Sequence, residues 1–215
     1  MTWSCGNVNY TVGVDVSSNQ ESQIGTLAYW QSLKNQGYGF GIIKATQGTS
    51  YTDPYLQSAW TYYNQVFPDA GPWLYHYINW NASGSSQAQH FYNVLKGLAN
   101  PVVNWTTLQL MIDIEENLGT GTPSMTIVDD FINELAALVG STGNFWIYTN
   151  QDTWVDYLGN PTTWSGLALW LAAIPNGQTW CPTYTFGGWA DWGIMQYGQA
   201  TIEGVTTDLD ELNLG

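Results

Sequence analysis

Residues 108–116 read Leu-Gln-Leu-Met-Ile-Asp-Ile-Glu-Glu, an apolar run that ends in carboxylates at alternate positions. The length and apolar character predict a β-strand, in which successive side chains point to opposite faces. Asp113 and Glu115 then share one face, whereas Ile112 and Ile114 share the other. This stretch therefore predicts a buried strand whose end presents two acids to one surface.

Strand-like and helix-like segments alternate along the chain before and after this stretch. Strands are predicted at 10–17, 40–46 and 72–78, and helices at 22–36, 53–66, 85–98 and 124–139. Asp53 followed by Pro54 is typical of a helix start. Repeated βα units predict a parallel sheet with right-handed crossovers, and this many units favour closure into an α/β barrel that resembles a TIM barrel.

The last third of the chain departs from this alternation. Strands are predicted at 145–149, 167–172, 193–197 and 206–209, and one short helix at 152–158. We therefore expect an irregular (β/α) barrel with fewer helices than strands, in which the first and last strands are neighbours. Residues 1–215 are expected to form this as a single domain.

The charge balance argues against several classes of partner. Lysine supplies all three basic residues, at positions 34, 44 and 96, and 17 acids bring the formal net charge to −14. Nucleic acids and anionic membranes are bound by clustered Lys and Arg, so we expect neither partner. The first residues lack the pattern of a secretory signal, and no apolar run is long enough to cross a membrane. Lys44, inside an apolar strand, is expected to pair with a carboxylate or to lie exposed at an edge.

The cysteines and histidines show no spacing typical of a metal site. Cys5 and Cys181 either form one disulfide or remain free thiols, and the missing secretion signal favours free thiols. His76 and His90 are far apart in sequence. We therefore expect neither a metal nor a cofactor.

Barrel closure would bring acids from several strands to one mouth. Active sites of βα barrels lie at the carboxyl ends of the strands, where Asp15, Asp113, Glu115 and either Asp208 or Asp210 are expected. Two close carboxyl groups resist ionising together, so one can stay protonated beside an ionised partner, which is what glycoside hydrolysis requires. Each acid alone is more often structural, as a solvated strand end or a helix cap. Their convergence favours catalysis.

Aromatic residues are predicted at the same rim. They are Tyr75, Tyr77, Tyr148, Trp170 and Tyr197. Some of the 13 Trp and 14 Tyr residues must be ordinary core. Several rings around an acidic mouth nevertheless suit stacking against the C–H faces of sugars, so the implied ligand is a glycan.

A set of short motifs resembles glycoside hydrolase family 25, in the order expected for that family. The motifs are Gly13-Val14-Asp15-Val16-Ser17, Ile43-Lys44-Ala45-Thr46-Gln47-Gly48-Thr49, Tyr51-Thr52-Asp53-Pro54, Tyr75-His76-Tyr77, Ile112-Asp113-Ile114-Glu115, Ile147-Tyr148-Thr149, Leu169-Trp170-Leu171-Ala172, Met195-Gln196-Tyr197 and Thr207-Asp208-Leu209-Asp210. The resemblance spans about residues 12–213. It implies a modified βα barrel and cleavage of the β-1,4 bond between N-acetylmuramic acid and N-acetylglucosamine in peptidoglycan.

The resemblance also implies roles for individual residues. Glu115 would be the general acid and Asp113 its partner carboxylate, while Asp15 and Asp208 would complete the acidic cluster. Lys44 and Gln196 join the rim aromatics as expected substrate-binding residues. Asp113 could be a covalent nucleophile or could orient the 2-acetamido group of the substrate, and the resemblance favours a retaining reaction assisted by that group.

Two positions depart from the family pattern. Gln47 stands where relatives usually have Glu, and the usual Asp-x-Asn becomes Asp208-Leu209-Asp210, of which we choose Asp208 as the site residue. We expect a monomeric lysozyme of the bacteriophage endolysin type that acts on the bacterial cell wall without a separate wall-binding module. The alternatives are a chitinase-like acetamido-sugar hydrolase and a non-catalytic glycan-binding barrel.

Overall fold

The computed structural model describes residues 9–71, 73–117, 119, 121–173 and 186–214; Cys5 and Cys181 lie outside these ranges. The strands are β1 (Tyr10–Val16), β2 (Phe40–Gln47), β3 (Tyr51–Thr52), β4 (Trp73–Tyr77), β5 (Gln109–Asp113), β6 (Phe145–Thr149), β7 (Ala168–Ala172), β8 (Ile194–Ile202) and β9 (Val205–Asn213). The α-helices are α1 (Leu27–Asn35), α2 (Leu56–Val66), α3 (Gly84–Lys96) and α4 (Met125–Val139). A 3-10 helix (Ser18–Gly25) and a π-helical turn (Asp152–Tyr157) complete the described elements.

Within the described residues, eight strands form a closed barrel. Their order is β1-β9-β8-β7-β6-β5-β4-β2, and pairing of β1 with β2 closes the ring. The pairs from β1–β2 round to β7–β8 are parallel, whereas β9 is antiparallel to both β8 and β1. The predicted irregular barrel with fewer helices than strands is confirmed, as is the contact between its first and last strands.

The direction of β9 was not predicted. Ile202 pairs with Val205, so only Glu203 and Gly204 connect β8 to β9. Both connecting residues have positive φ, 49° and 84°, which is the conformation of a tight hairpin turn. A two-residue turn leaves no room for a crossover helix, so the chain must return antiparallel.

Several predicted boundaries differ from the structure at helix starts. The helix predicted from residue 22 begins as the 3-10 helix, and α1 starts only after Thr26, whose side chain accepts a hydrogen bond from the Tyr29 amide. Helix α2 starts at Leu56 rather than at Asp53. The Asp53 carboxylate instead accepts the backbone N–H groups of Ser18 (2.7 Å) and Tyr55 (2.9 Å). It therefore ties the two βα loops together.

The barrel wall separates two apolar clusters. Inside the ring lie Phe40, Ile42, Trp73, Tyr75, Met111, Tyr148, Trp170 and Ile194. The larger cluster packs between the outer face of the strands and the helices, and it includes Ile112 and Ile114. The inner cluster occupies the starts and middles of the strands, so the carboxyl ends are left for polar side chains. In the part of the chain described, no helix is long and apolar enough to span a membrane.

Candidate active site

A cavity of about 300 Å³ opens at the carboxyl ends of the parallel strands. It is lined by Asp15, Ser17, Asn19, Gln20, Lys44, Tyr75, Tyr77, Asp113, Glu115, Tyr148, Trp170, Gln196, Gln199 and Asp208. Ten of these were predicted from the sequence, whereas Ser17, Asn19, Gln20 and Gln199 were not. Ser17 ends the first predicted strand but was not singled out, Asn19 and Gln20 follow it, and Gln199 lies on the part of β8 beyond the predicted strand.

One predicted site residue lies elsewhere. Tyr197 follows Gln196 on β8, so its side chain points to the opposite face of the strand. There it packs against the outer apolar cluster and not in the cavity. The structure therefore does not bring Tyr197 together with the other ten predicted residues.

Asp113 and Glu115 form a close carboxyl pair at the mouth. Strand β5 ends at Asp113, and Glu115 lies two residues beyond it while still facing the cavity. Burial is the main reason that the pKa of each carboxyl is raised, and the two groups interact directly by charge and hydrogen bond. Asp113 Oδ1 has no hydrogen-bond partner among the described residues. The raised pKa values favour a proton shared within the pair, and Asp113 Oδ1 can still accept a hydrogen bond from a ligand.

Three hydrogen bonds hold the segment that carries Glu115 after the strand has ended. The Ile114 N–H donates to a carbonyl oxygen at the end of β6 (2.9 Å). The Trp80 indole N–H donates to the Glu115 carbonyl oxygen (2.8 Å), and the Glu116 N–H donates to Thr153 Oγ1 (2.9 Å). These contacts come from three different parts of the barrel rim. They fix the Glu115 backbone without regular secondary structure.

Asp15 and Asp208 face each other across the β1–β9 pair. The Gln196 side-chain amide donates to Asp15 Oδ2 (2.7 Å) and accepts from the Tyr148 hydroxyl (2.9 Å). The Gln199 amide donates to Asp208 Oδ1 (2.7 Å). Burial, followed by the charge of Asp208, raises the pKa of Asp15 to about 7. Two neutral amides thus orient two acids that would otherwise repel each other.

Asp210 lies beneath this pair, away from the cavity surface. It is fully buried, and the Trp170 indole N–H donates to its Oδ1 atom (2.8 Å). Burial and the neighbouring charge of Asp15 raise the pKa of Asp210 well above its usual range. The sequence left open which aspartate faces the mouth. The structure places Asp208 on the cavity wall and Asp210 below it.

Lys44 is surrounded by rings rather than paired with an acid. Its ammonium lies 4.8 Å from the centre of the Tyr77 ring and 5.8 Å from that of Tyr75, and it donates to Gln47 Oε1 (3.0 Å). The direct ion pair considered from the sequence is thus not formed within the described residues. Burial lowers the pKa of Lys44, while the negative charge of Asp113 opposes that shift.

Comparison with known proteins gives a consistent set of matches. The model of the family described as Glycosyl hydrolases family 25 matches residues 14–205. Lysozyme M1 of Streptomyces globisporus is 31% identical over 218 residues, covering 92% of this chain and 65% of that protein. Probable GH family 25 lysozyme 4 of Dictyostelium discoideum is 28% identical over 195 residues, covering 89% and 85%. The chain thus spans just under two thirds of the Streptomyces protein and most of the Dictyostelium one.

Solved structures agree with these sequence matches. The muramidase from Trichobolus zukalii superposes with a TM-score of 0.71 at 26% identity, covering 95% of this chain and 94% of that one. The family GH25 lysozyme from Aspergillus fumigatus superposes with a TM-score of 0.73 at 26% identity, covering 96% and 95%. The family match covers the strands that carry Asp15 and Asp113, and the structural matches cover nearly the whole chain.

Proposed function

The chain belongs to the glycosyl hydrolases of family 25, and we propose that it is a lysozyme that hydrolyses the β-1,4 bond between N-acetylmuramic acid and N-acetylglucosamine in bacterial peptidoglycan. The observation that carries this proposal is the buried pair of interacting carboxyl groups, Asp113 and Glu115, at the mouth of the barrel. Such a pair supplies both an acid for the leaving oxygen and a negative charge for the reacting carbon. The bacterial cell wall is accordingly the proposed place of action, and a monomer the proposed working unit.

The walls of the mouth suit a sugar chain. Tyr75, Tyr77, Tyr148 and Trp170 contribute rings to a cavity whose remaining lining is amide, hydroxyl and carboxyl. Rings bind the C–H faces of sugars, and the polar groups bind hydroxyl and acetamido groups. Lys44 provides the cation of the mouth and favours the ionised form of the Asp113–Glu115 pair.

Glu115 acts as general acid in the first step. Its raised pKa keeps the carboxyl protonated until it meets the glycosidic oxygen. The proton passes to that oxygen as the bond to the anomeric carbon breaks, and the leaving sugar departs with a new hydroxyl group. Asp15 and Asp208 line the same cavity, and their negative potential stabilises the positive charge that develops on the sugar.

The substrate supplies the nucleophile. The carbonyl oxygen of its 2-acetamido group attacks the anomeric carbon and forms a cyclic oxazolinium ion, while Asp113 accepts a hydrogen bond from the acetamido N–H. Glu115, now ionised, takes a proton from a water molecule that attacks the anomeric carbon and reopens the ring, so the configuration is retained. Asp113 and Glu115 project from one strand end and contact each other, which leaves no room for a sugar ring between them. That arrangement favours assistance over a covalent enzyme ester.

Product analysis tests the function. Purified peptidoglycan and chitin are digested separately, and mass spectrometry identifies the sugar at each new reducing end, with the Glu115→Gln variant as the inactive control. Muramic acid at the reducing end is the expected result. N-acetylglucosamine at the reducing end, or equal release from chitin, would assign a different acetamido-sugar hydrolase. Binding without any new reducing end would make the barrel a glycan-binding module.

A further inference from the structure

Asp210 is buried deeper than any other acid of this region and lines no part of the cavity. It lies two residues after Asp208 on the same face of β9, and in the strand register it is opposite Gly13 of β1 and Gln196 of β8. Its side chain has no exposed surface. It points inward one step below the Asp15–Asp208 pair, and among charged groups Asp15 raises its pKa the most.

The hydrogen bonds of Asp210 are those of a neutral acid. Oδ1 accepts a hydrogen bond from the Trp170 indole N–H (2.8 Å). Oδ2 accepts no hydrogen bond from any donor in the described part of the chain. A carboxylate left in this state would have an unsatisfied charge beside the carboxylate of Asp15, which is costly in a buried site. A protonated Oδ2 needs no donor. It carries an O–H group that can donate to Asp15.

We propose that Asp210 is a positioning residue that works as a neutral acid, donating its O–H to Asp15 and thereby holding the Asp15 carboxylate toward the reacting pair. Asp15 Oδ2 is already held by the Gln196 amide (2.7 Å), so the two contacts together fix the plane of the Asp15 carboxyl. The catalytic part of this proposal rests on the proposed function. The protonation part does not.

The groups around Asp210 support the neutral form. The acids facing it are Asp15 on β1 and Asp208 on its own strand, and each raises its pKa. The phenols of Tyr148 and Tyr197 are electrostatic neighbours whose own pKa values are raised by burial, so they remain uncharged. Every interaction with a charged group thus favours the proton, and only the Trp170 hydrogen bond opposes it.

Asp210→Asn tests the positioning role, because an amide keeps both contacts. Its NH₂ group can donate to Asp15, and its oxygen can accept the Trp170 N–H. We expect Asp210→Asn to keep kcat within about threefold of wild type, whereas Asp210→Ala, which removes the donor, lowers kcat by about tenfold with little change in KM. A purely structural role would give both variants the kcat of wild type in the folded fraction.

The pH dependence of Tm tests the protonation state without any substrate. A carboxyl whose folded-state pKa is raised stabilises the protein least at high pH, because the unfolded chain loses the proton first. Asp210→Asn removes the ionisable group and with it this loss of stability at high pH. Its Tm should equal that of wild type near pH 4 and exceed it by about 3 to 5 °C for each pH unit above that, until the folded-state pKa is reached.

Asp53→Asn is the matched control. Asp53 is also buried, but its carboxylate accepts two backbone N–H groups, from Ser18 (2.7 Å) and Tyr55 (2.9 Å). An amide offers one acceptor oxygen in place of two, so Asp53→Asn should lower Tm at neutral pH.

Besides wild-type kcat in both folded variants, two further results would overturn the proposal. One is a folded Asp210→Asn variant with less than a tenth of wild-type kcat, since Asp210 would then act as an anion. The other is an Asp210→Asn variant whose Tm lies below wild type at neutral pH, as expected for Asp53→Asn. If Asp210→Ala fails to fold, the Asn variant alone decides. If the wild-type protein released no muropeptides, the Tm series would still test the neutral acid, and the proposed function would fail separately.

Discussion

Two fully buried polar groups of the barrel wall, His76 and Asp210, are held in opposite ways. His76, on the outer face of β4, and Asp210, on the inner face of β9, both have no exposed surface. Both ring nitrogens of His76 have partners, Thr46 Oγ1 at 2.7 Å and Gln87 Oε1 at 3.3 Å. On the inner face, Asp113 and Asp210 each retain an oxygen without a partner among the described residues. Both ring nitrogens on the outer face are therefore satisfied, whereas each of these inner acids has an oxygen that can still accept or donate a hydrogen bond. Glu211, buried on the outer face of β9, likewise has an Oε1 atom without a partner among the described residues.

This difference indicates what each face contributes. The Gln87 amide also bonds to the backbone N–H (2.8 Å) and carbonyl (2.9 Å) of Asn79, so the His76 network joins β2, β4, α3 and the loop after β4. Burial lowers the pKa of His76 to about 3, which keeps the ring neutral. A satisfied neutral network stabilises a fold, whereas unsatisfied acids cost stability and serve chemistry. The following predictions test that division.

The largest effect is expected at Glu115, on the inner face. Glu115→Gln removes the transferable proton, so kcat should fall by at least about 10² to 10⁴-fold. Because burial raises the pKa of Glu115, the neutral amide should leave Tm at pH 7 equal to or above that of wild type. Steady-state rates on peptidoglycan and thermal melts measure both. A variant that keeps more than a tenth of the rate would remove Glu115 from the role of acid.

The next largest effect is expected for Trp80→Phe, which tests whether residues of the outer face contribute only to stability. Trp80 packs in the outer cluster, yet its indole N–H holds the Glu115 carbonyl oxygen (2.8 Å). Trp80→Phe keeps the ring and removes the donor, and we expect kcat to fall by about tenfold. Trp60→Phe is the matched control, since its buried indole donates to the Pro101 carbonyl oxygen (2.8 Å), far from the mouth.

Both tryptophan variants should lose a similar free energy of unfolding, about 1 kcal/mol, because each loses one buried hydrogen bond. Only Trp80→Phe should lose turnover. Equal kcat values in the two folded variants would show that the Glu115 backbone is held without the Trp80 contact. Trp80 would then contribute to stability alone.

The pH dependence of stability compares the faces directly. The inner acids have raised folded-state pKa values, so their contribution is present at low pH and is lost as pH rises from about 4 upward. His76 has a lowered pKa, so its contribution is lost as pH falls from 6.5 toward about 3. The acids that oppose this single histidine are Asp15, Asp113, Glu115, Asp208 and Asp210 on the inner face, and Glu211 on the outer face, whose pKa burial raises to about 7.

Because several acids oppose one histidine, Tm should be higher at pH 5 than at pH 8, by several degrees. Glu115→Gln should flatten that slope. Differential scanning calorimetry from pH 4 to pH 8 gives the curve. A Tm that rises steadily from pH 5 to pH 8 would mean that the inner acids are ionised in the folded protein, and the comparison between the faces would fail.

The smallest effect concerns the net charge of the whole protein rather than the buried groups of the barrel. A chain with a formal net charge of −14 is repelled by the anionic polymers of a Gram-positive wall. Salt at 0.1 M shortens the screening length to about 10 Å, so wall lysis should rise, or at least not fall, between very low and moderate salt. Cleavage of a small soluble muropeptide should change much less. A steep loss of lysis would indicate capture of the wall by a local cationic patch.

The periodicity of the sequence correctly predicted the orientation of side chains in regular strands. Period-two alternation placed Asp113 toward the cavity and Ile112 and Ile114 in the outer cluster, as the structure has them. Alternation alone does not predict the orientation of Tyr197, because the strand register is irregular between Gln196 and Gly198. In the structure Tyr197 packs against the outer cluster, whereas Gln196 and Gln199 both line the cavity.

What the sequence did not predict depends on irregular backbone. The Trp80 contact with the Glu115 carbonyl joins two loops, and a backbone acceptor leaves no side-chain pattern to detect. The hairpin that reverses β9 is made by Glu203 and Gly204, which lack the Asn-Gly or Asp-Gly signal of such turns. Lys44 bonds to Gln47, three residues away, where a distant carboxylate had been considered.

The β8–β9 hairpin makes one side of the mouth a single continuous piece of chain. Gln196, Gln199, Asp208 and Asp210 all belong to it. The inward orientation of Gln199, Asp208 and Asp210 depends on where the two-residue turn falls, and a register shift between Gln196 and Gly198 lets Gln196 face inward as well. Deleting one residue between the turn and Asp208 would shift the frame of alternation, turning Leu209 inward and both aspartates toward the helices. This part of the site should therefore tolerate many substitutions in evolution and almost no insertions or deletions.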